Sequence, residues 1–288
     1  GGLLERLVGR LRPALALAKK ADAVMIVAGY DFHDEGEKIG TGGDRASLTL
    51  KPADEALIQA VAAVNSRVVV VIESGSAVIT DAWRERVPAI VAAWYPGMEG
   101  GHALADLLVG RANFSGKLPC TFPRSANQLP FFDRNAEEIE YGYFHGYRLL
   151  ERNLHEAAFA FGFGLSYTTY QYARLNLQSA EFSPADTLTA QVQLTNTGPL
   201  AGEEIVQLYI GAPGLVVKRP VKELKAFTRV ALQPGQTQTL TFQLPLQQLA
   251  YYDEPSASWQ IEPGSYTLFI GGSSRPQDLI STSFQVNL

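Results

Sequence analysis

The sequence has few of the residues and patterns that mark special classes of protein. Cys120 is its single cysteine, which excludes an internal disulfide and the usual cysteine-based zinc sites. No apolar run reaches the roughly 20 residues that a membrane-spanning helix needs, and no signal peptide is recognisable. The formal net charge of −5 gives no reason to expect nucleic acid or an anionic membrane as a partner.

The composition is instead that of a globular protein with a sizeable core. Hydrophobic residues make up 46% of the chain and charged residues 18%. The 288 residues suffice for two domains of roughly 100–200 residues each. Because the chain opens with Gly1 and Gly2, already within a helix-like pattern, we expect the sequence to begin inside a longer protein.

Up to about residue 170, short apolar runs alternate with amphipathic segments. Continuous apolar runs are typical of strands buried on both faces of a parallel sheet. The alternation therefore predicts βα units and a mostly parallel sheet. The predicted strands are Ala23–Gly29, Arg67–Glu73 and Pro88–Trp94, and the predicted helices are Leu3–Lys20 with a kink near Pro13, Pro52–Val64 and Met98–Val109.

From Tyr170 onward the pattern is entirely β, with period-two alternation and turn signals between short segments. About seven such strands predict an immunoglobulin-like sandwich of about 100 residues. The fold class is thus α/β followed by all-β, with domains at 1–125 and 170–288 and a connector at 126–169 that packs between them. The clearest predicted strands are Leu188–Leu194, Ile205–Ile210, Lys225–Leu232, Thr237–Leu244 and Ser265–Gly271.

A long acidic loop, from Gly29 to Arg45, follows the first predicted strand and holds five carboxylates. Ligands of open α/β sheets bind at the carboxyl ends of strands, and long loops in compact domains are often functional. A solvated acidic loop and a metal cluster around His33 are alternatives. A calcium loop is excluded because its twelfth position would be Gly42, where a bidentate glutamate is required.

Short strings rich in glycine, proline and aromatic residues lie along most of the chain. They are DEGE…GGDRASLTL in the acidic loop, Trp94–Gly101, Ser115–Pro119, Thr121–Pro123, Gly146–Arg148, Phe161–Thr168, Asn196–Gly198, Gln207–Tyr209, Lys222–Leu224 and Pro234–Gly235. In order and spacing they resemble the C-terminal half of family 3 glycoside hydrolases, the β-glucosidase and β-xylosidase family. The resemblance identifies part of that family's α/β sandwich domain and its fibronectin type III-like domain.

The resemblance implies a retaining mechanism, in which one carboxyl attacks the anomeric carbon and a second serves as general acid and base. In the family, the nucleophile is an aspartate of an N-terminal (β/α)8 barrel. We therefore expect a β-glucoside or oligosaccharide substrate and a barrel in the same protein or in a second chain. We expect no cofactor, no bound metal, little activity of this chain alone, and a periplasmic or secreted parent enzyme.

The resemblance further implies that the acid/base lies on the acidic loop ahead of the Asp44-Arg45 pair. Glu37 is favoured because the glutamate nearest that pair carries the role in the common form of the motif. Glu35 is the alternative, since six residues separate Glu37 from Asp44 in this sequence. Asp44 and Arg45 are expected to shape the loop.

Two further expectations concern the surroundings of these residues. Neighbouring acids of the loop should raise one another's pKa by like-charge repulsion. Trp94 and Tyr95 should pack rather than stack on a sugar. The sandwich aromatics Tyr251, Tyr252 and Trp259 could serve equally as core or as a ligand platform.

The sequence also leaves alternatives to a piece of a β-glucosidase. One is a non-catalytic accessory module that binds carbohydrate or a partner, and another is a β-xylosidase of the same family. The presence or absence of a barrel would distinguish the accessory module from the enzyme. A different α/β hydrolase would need a Gly-x-Ser-x-Gly elbow, which the sequence lacks.

Overall fold

The computed structural model describes residues 3–35, 45–133 and 136–287. The chain forms two compact units that do not follow simple chain order. The first unit comprises residues 1–108 and 122–141, and the second comprises residues 109–121 and 142–288. Within the described ranges, no helix is both long and apolar enough to cross a membrane.

The first unit contains a parallel sheet and the helices that connect its strands. Its elements are α1 (Leu3–Ala18), β1 (Val24–Gly29), α2 (Phe32–Glu35), α3 (Pro52–Ala62), β2 (Val68–Glu73), β3 (Ala89–Ala92), α4 (Gly100–Leu108) and two short 3-10 helices, Arg84–Arg86 and Ala126–Gln128. The strands are parallel in the order β1-β2-β3, with Ile26 opposite Val70 and Val70 opposite Ile90. The predicted βα alternation and parallel sheet are confirmed.

Local sequence explains how the helices of this unit form and pack. α3 begins with Pro52, whose fixed φ suits a first helical position, and Asp54 in the first turn complements the helix dipole. Ile58 and Val61 of α3 are buried against the sheet. Asn65 joins the ends of two helices, because its side-chain amide donates to the Ala18 carbonyl at 2.8 Å. α1 continues through Pro13 to Ala18.

The prediction that all three strands are buried on both faces is wrong for the outer two. β1 lies at the sheet edge, and Met25 and Val27 are 53% and 51% exposed while Ile26 between them is buried. β3, at the other edge, is only partly buried, whereas β2 in the centre is largely buried. Because successive side chains of a strand point to opposite faces, the described residues cover only one face of β1. An all-apolar string does not reveal which face will be covered.

The second unit is a sandwich of two antiparallel sheets built around one core. Its elements are α5 (Gly146–Arg152), β4 (Tyr170–Leu177), β5 (Glu181–Phe182), β6 (Thr187–Asn196), β7 (Gly202–Gly211), β8 (Glu223–Leu232), β9 (Thr237–Pro245), β10 (Tyr251–Asp253), β11 (Ser258–Gln260), β12 (Gly264–Gly271), β13 (Leu279–Val286) and two short 3-10 helices, Leu246–Leu249 and Pro276–Asp278. One sheet has the order β5-β13-β12-β7-β8, with β5 parallel to β13, and the other has the order β4-β6-β9. Alternate residues such as Leu188, Val192 and Leu208 fill the core between them.

The predicted sandwich is confirmed, although several strands were missed. The five clearest predicted strands fall on β6, β7, β8, β9 and β12, which are each as long as or longer than predicted. β4 escaped prediction because it is interrupted by a bulge, where Arg174 adopts a φ of 51°. Tyr252 and Trp259 pair across the β10–β11 ribbon and are 52% and 71% exposed, so they do not belong to the core.

Residues 109–121 carry a buried ion pair of the second unit. The Lys117 ammonium lies 2.9 Å from a carboxylate oxygen of Glu204 and also donates to the Gly164 carbonyl. The Tyr172 hydroxyl donates to the same carboxylate at 3.1 Å. Burial raises the pKa of Glu204, and the Lys117 charge opposes that rise. This network attaches residues that precede the sandwich to the strand β7.

We expect Lys117→Met to lower the free energy of unfolding of the chain by about 3–5 kcal/mol at neutral pH, because it leaves a buried carboxylate uncompensated. The raised pKa means that protonation of Glu204 stabilises the folded state, so the loss should shrink as pH falls towards the ordinary glutamate value of 4.5. Denaturant unfolding at neutral pH and at a pH near 4.5 measures how much unfolding free energy the variant loses. Lys218→Met, at an exposed lysine, is the matched control. An equal loss for both variants would contradict the assignment.

Candidate functional site

The carboxyl ends of β1, β2 and β3 meet at one edge of the parallel sheet, where the acidic loop begins. Gly29 ends β1 with a φ of 156°, and a Cβ there would lie 1.8 Å from the Glu73 carbonyl oxygen. Only glycine fits this close approach. The next residue, Tyr30, still donates its backbone N–H to Glu73 at 2.9 Å, so the loop leaves the sheet from a fixed point.

The first acids of the loop form the short helix α2. The Asp34 carboxylate accepts the backbone N–H of Asp31 at 3.0 Å and pairs with Lys51 at 2.7 Å. The hydrogen bond from Lys51, followed by that from Asp31, lowers the pKa of Asp34. The expectation that neighbouring acids raise one another's pKa is therefore wrong for Asp34, because a cation and a backbone donor lie closer to it than other carboxylates.

The Glu35 carboxylate is held by three donors. One oxygen lies 3.1 Å from Nε of Arg45. The other accepts the backbone N–H of Gly75 at 2.8 Å and the hydroxyl of Tyr95. The Ser74 hydroxyl lies 3.3 Å from the first oxygen, but its single hydrogen has a nearer acceptor in the Ser76 carbonyl at 2.9 Å. The Glu35 side chain is 15% exposed.

Arg45 lies at the other end of the acidic segment and contacts the loops that follow β1 and β2. Its guanidinium lies 4.3 Å from the centre of the Tyr30 ring and donates to Ser76 and to the Ala77 carbonyl. Tyr30 in turn donates its hydroxyl to the Thr49 carbonyl. Burial raises the pKa of Tyr30, so this hydroxyl remains a donor. Glu35 and Arg45 thus bring the two ends of residues 36–44 into contact.

The predicted site residues differ in how far the structure describes them. Glu35 and Arg45 are in direct contact. Glu37 and Asp44 lie outside the described residues, as does the side chain of His33. Among the residues that the structure does describe, no group of three histidine, cysteine or acidic side chains could hold a metal ion.

Sequence reasoning missed several residues that hold Glu35 and Arg45. Ser74 and Gly75 directly follow β2, and Tyr95 follows β3 after two residues. That position, at the carboxyl ends of neighbouring parallel strands, was a signal that could have identified them. Tyr95 was expected to pack, yet it is half-exposed and bonds Glu35.

Trp94 directly precedes Tyr95 in the loop that follows β3. Its φ of 56° lies in the left-handed region, which is strained for a bulky residue. Its ring meets that of Phe122 edge-to-face at 6.2 Å. Trp94 therefore packs as expected, and the turn of its backbone precedes the residue that reaches Glu35.

Comparisons with known proteins match both units of this chain to family models. Residues 8–167 match the glycosyl hydrolase family 3 C-terminal domain. Residues 204–274 match the fibronectin type III-like domain.

Curated relatives and solved structures give the same result. The chain is 37% identical to β-glucosidase B of Emericella nidulans over 92% of its length and 33% of the relative's. It is 35% identical to a β-xylosidase of Formosa agariphila over 95% of its length and 37% of the relative's. The crystal structure of β-D-glucoside glucohydrolase from Trichoderma reesei matches 95% of this chain and 41% of its own, at 32% identity and a TM-score of 0.86. The chain thus spans about a third of the length of these curated relatives.

We expect Arg45→Met to lower the free energy of unfolding of the first unit by about 2 kcal/mol, since hydrogen bonds to charged groups contribute roughly 1.5–3 kcal/mol. The change removes the partner of a carboxylate that is only 15% exposed. Denaturant unfolding followed by Trp83 fluorescence measures it, because this tryptophan is buried in the first unit. Arg86→Met, at an exposed arginine, should change stability by less than about 0.5 kcal/mol. Equal losses of unfolding free energy in the two variants would show that Arg45 does not stabilise the first unit more than an exposed arginine does.

Proposed function

Because this chain belongs to glycosyl hydrolase family 3, we propose that it is the C-terminal part of a retaining β-glucosidase that hydrolyses terminal β-D-glucosides. The named relatives are β-glucosidases and a β-xylosidase, which supports a hydrolase role and keeps xylosides as the alternative substrate. The observation that carries the proposal is the acidic segment at the carboxyl edge of the parallel sheet, where the Glu35 carboxylate is held by groups from three loops.

The chain's part in this reaction is the general acid/base. In the first step a carboxylic acid protonates the glycosidic oxygen while a nucleophilic carboxylate attacks the anomeric carbon. In the second step the resulting carboxylate removes a proton from water, which displaces the enzyme carboxylate from the sugar. Since the chain spans about a third of its relatives, the nucleophile belongs to the remainder of the full-length protein, expected to be a barrel domain.

Glu37 is the proposed proton donor and Glu35 the alternative. A general acid must direct its proton towards the leaving oxygen at hydrogen-bond distance. Glu35 already accepts from Gly75, Tyr95 and Arg45, so most of its lone-pair sites are occupied by groups of the protein. This supports Glu37 as the donor, two residues beyond a fixed carboxylate.

In the full-length protein, we expect Glu37→Gln to lower kcat/KM for a glucoside with a poor leaving group, such as methyl glucoside, by about 10²–10⁴-fold. For 2,4-dinitrophenyl glucoside the loss in kcat/KM should be far smaller, since that leaving group departs without protonation. Added azide should raise kcat and yield β-glucosyl azide, because an anionic nucleophile needs no general base.

Glu35→Gln is the matched comparison and should not show this combination of leaving-group dependence and azide rescue. If Glu35→Gln shows it and Glu37→Gln does not, the donor is Glu35. If neither shows it while the wild-type protein hydrolyses glucosides, the acid/base does not lie on this segment. A wild-type full-length protein inactive on both glucosides and xylosides would favour an accessory carbohydrate-binding role instead.

A further inference from the structure

We propose that Tyr95 and Gly75 form a seat that positions Glu35, and with it the start of the acidic segment, for proton transfer. The proposal rests on the proposed function, since it assigns positioning residues to that reaction. The seat is formed by two loops that follow different strands: Gly75 follows β2 and Tyr95 follows β3. Both bond the same oxygen of Glu35, one through a backbone N–H and one through a phenol.

Tyr95 is suited to hold a carboxylate under all conditions in which a glycosidase works. Desolvation of the phenol, together with its hydrogen bond to Glu35, raises the pKa of Tyr95 to about 12. The hydroxyl therefore stays protonated and donates throughout the acidic and neutral range. The Tyr95 ring is half-exposed, so the hydrogen bond to Glu35 holds it in position more than burial does.

Gly75 approaches Glu35 and Tyr95 closely. Its N–H donates to Glu35 at 2.8 Å. A Cβ built on Gly75 would lie 3.0 Å from the same Glu35 oxygen and 3.2 Å from Cε2 of Tyr95. Its φ does not lie in the left-handed region that favours glycine, so any effect of alanine there comes from these contacts. A methyl group on Gly75 would shift the Glu35 carboxylate and the Tyr95 ring slightly from their present positions.

The seat fixes Glu35 from the sheet side, while Arg45 fixes it from the far end of the segment. A group that transfers a proton must be held to within about 0.5 Å of its working position by the groups around it. If Glu37 is the donor, the seat fixes the position of Glu35, two residues before the donor in the chain. If Glu35 is the donor, the seat contacts the donor itself. In both cases loosening the seat impairs proton transfer selectively.

The test is Tyr95→Phe in the full-length protein, which removes one hydroxyl and keeps the ring. We expect kcat/KM for methyl glucoside to fall about 10-fold, the equivalent of one hydrogen bond to a charged group. For 2,4-dinitrophenyl glucoside kcat/KM should stay within about 2-fold, because its cleavage does not need the proton. Tyr252→Phe, in the exposed β10–β11 ribbon, is the control and should leave both values unchanged.

Gly75→Ala provides an independent route to the same result, since it displaces the carboxylate without removing any donor. We expect the same selective loss, with Gly101→Ala as the control because a Cβ on Gly101 meets no atom within 4 Å. Equal losses on both substrates, or a lowered melting temperature with unchanged kinetics, would show that the seat is only structural and would overturn the proposal. A wild-type protein without glycosidase activity would instead refute the proposed function.

Discussion

The contact between Glu35 and Arg45 is the interaction on which the candidate site depends. Closing a loop costs conformational entropy that grows with its length, and residues 36–44 include four glycines, which lose more freedom than other residues. An ion pair between largely buried side chains, 15% and 8% exposed, opposes that cost. Hydrogen bonds from Gly75 and Tyr95 add to this ion pair, and a buried charge needs such partners if it is not to destabilise the fold.

This contact is possible because the sheet is parallel. Parallel strands bring all their carboxyl ends to one edge, so loops that are distant in sequence converge there. Tyr30, Ser74 and Tyr95 come from three such loops and contact one carboxylate or its arginine. An antiparallel arrangement of the same strands would send alternate loops to opposite edges. The architecture of the first unit and the composition of its site therefore follow from the same topological fact.

What could be predicted from the sequence divides along physical lines. Long apolar runs and period-two alternation depend on local spacing, so β1, β2 and most strands of the sandwich were found close to their bounds. Exposure of Met25 and Val27 depends on whether another element covers their face of the sheet, which an apolar string does not encode. The position of Tyr95 beside Glu35 joins residues 60 apart in the chain, and the pKa of Asp34 depends on Lys51. Such contacts require the assembled edge.

The distribution of charge also bears on where chemistry can reside. In the second unit, the largely buried acids Glu204, Glu223 and Glu151 each pair with a lysine or arginine of the same unit. Lys117 pairs with Glu204 of β7, and Arg148 of α5 pairs with Glu223 of β8. Glu151 of α5 pairs with Lys222, the residue just before β8. These ion pairs attach residues 109–121 and α5 to the sandwich. In the first unit, the pair of Glu35 and Arg45 instead holds a segment that bears another glutamate two residues on. A carboxylate that joins packed strands cannot leave its partner without a large loss of stability. That cost argues against proton transfer by the acids of the second unit and supports the proposal that the acid/base belongs to the α/β unit.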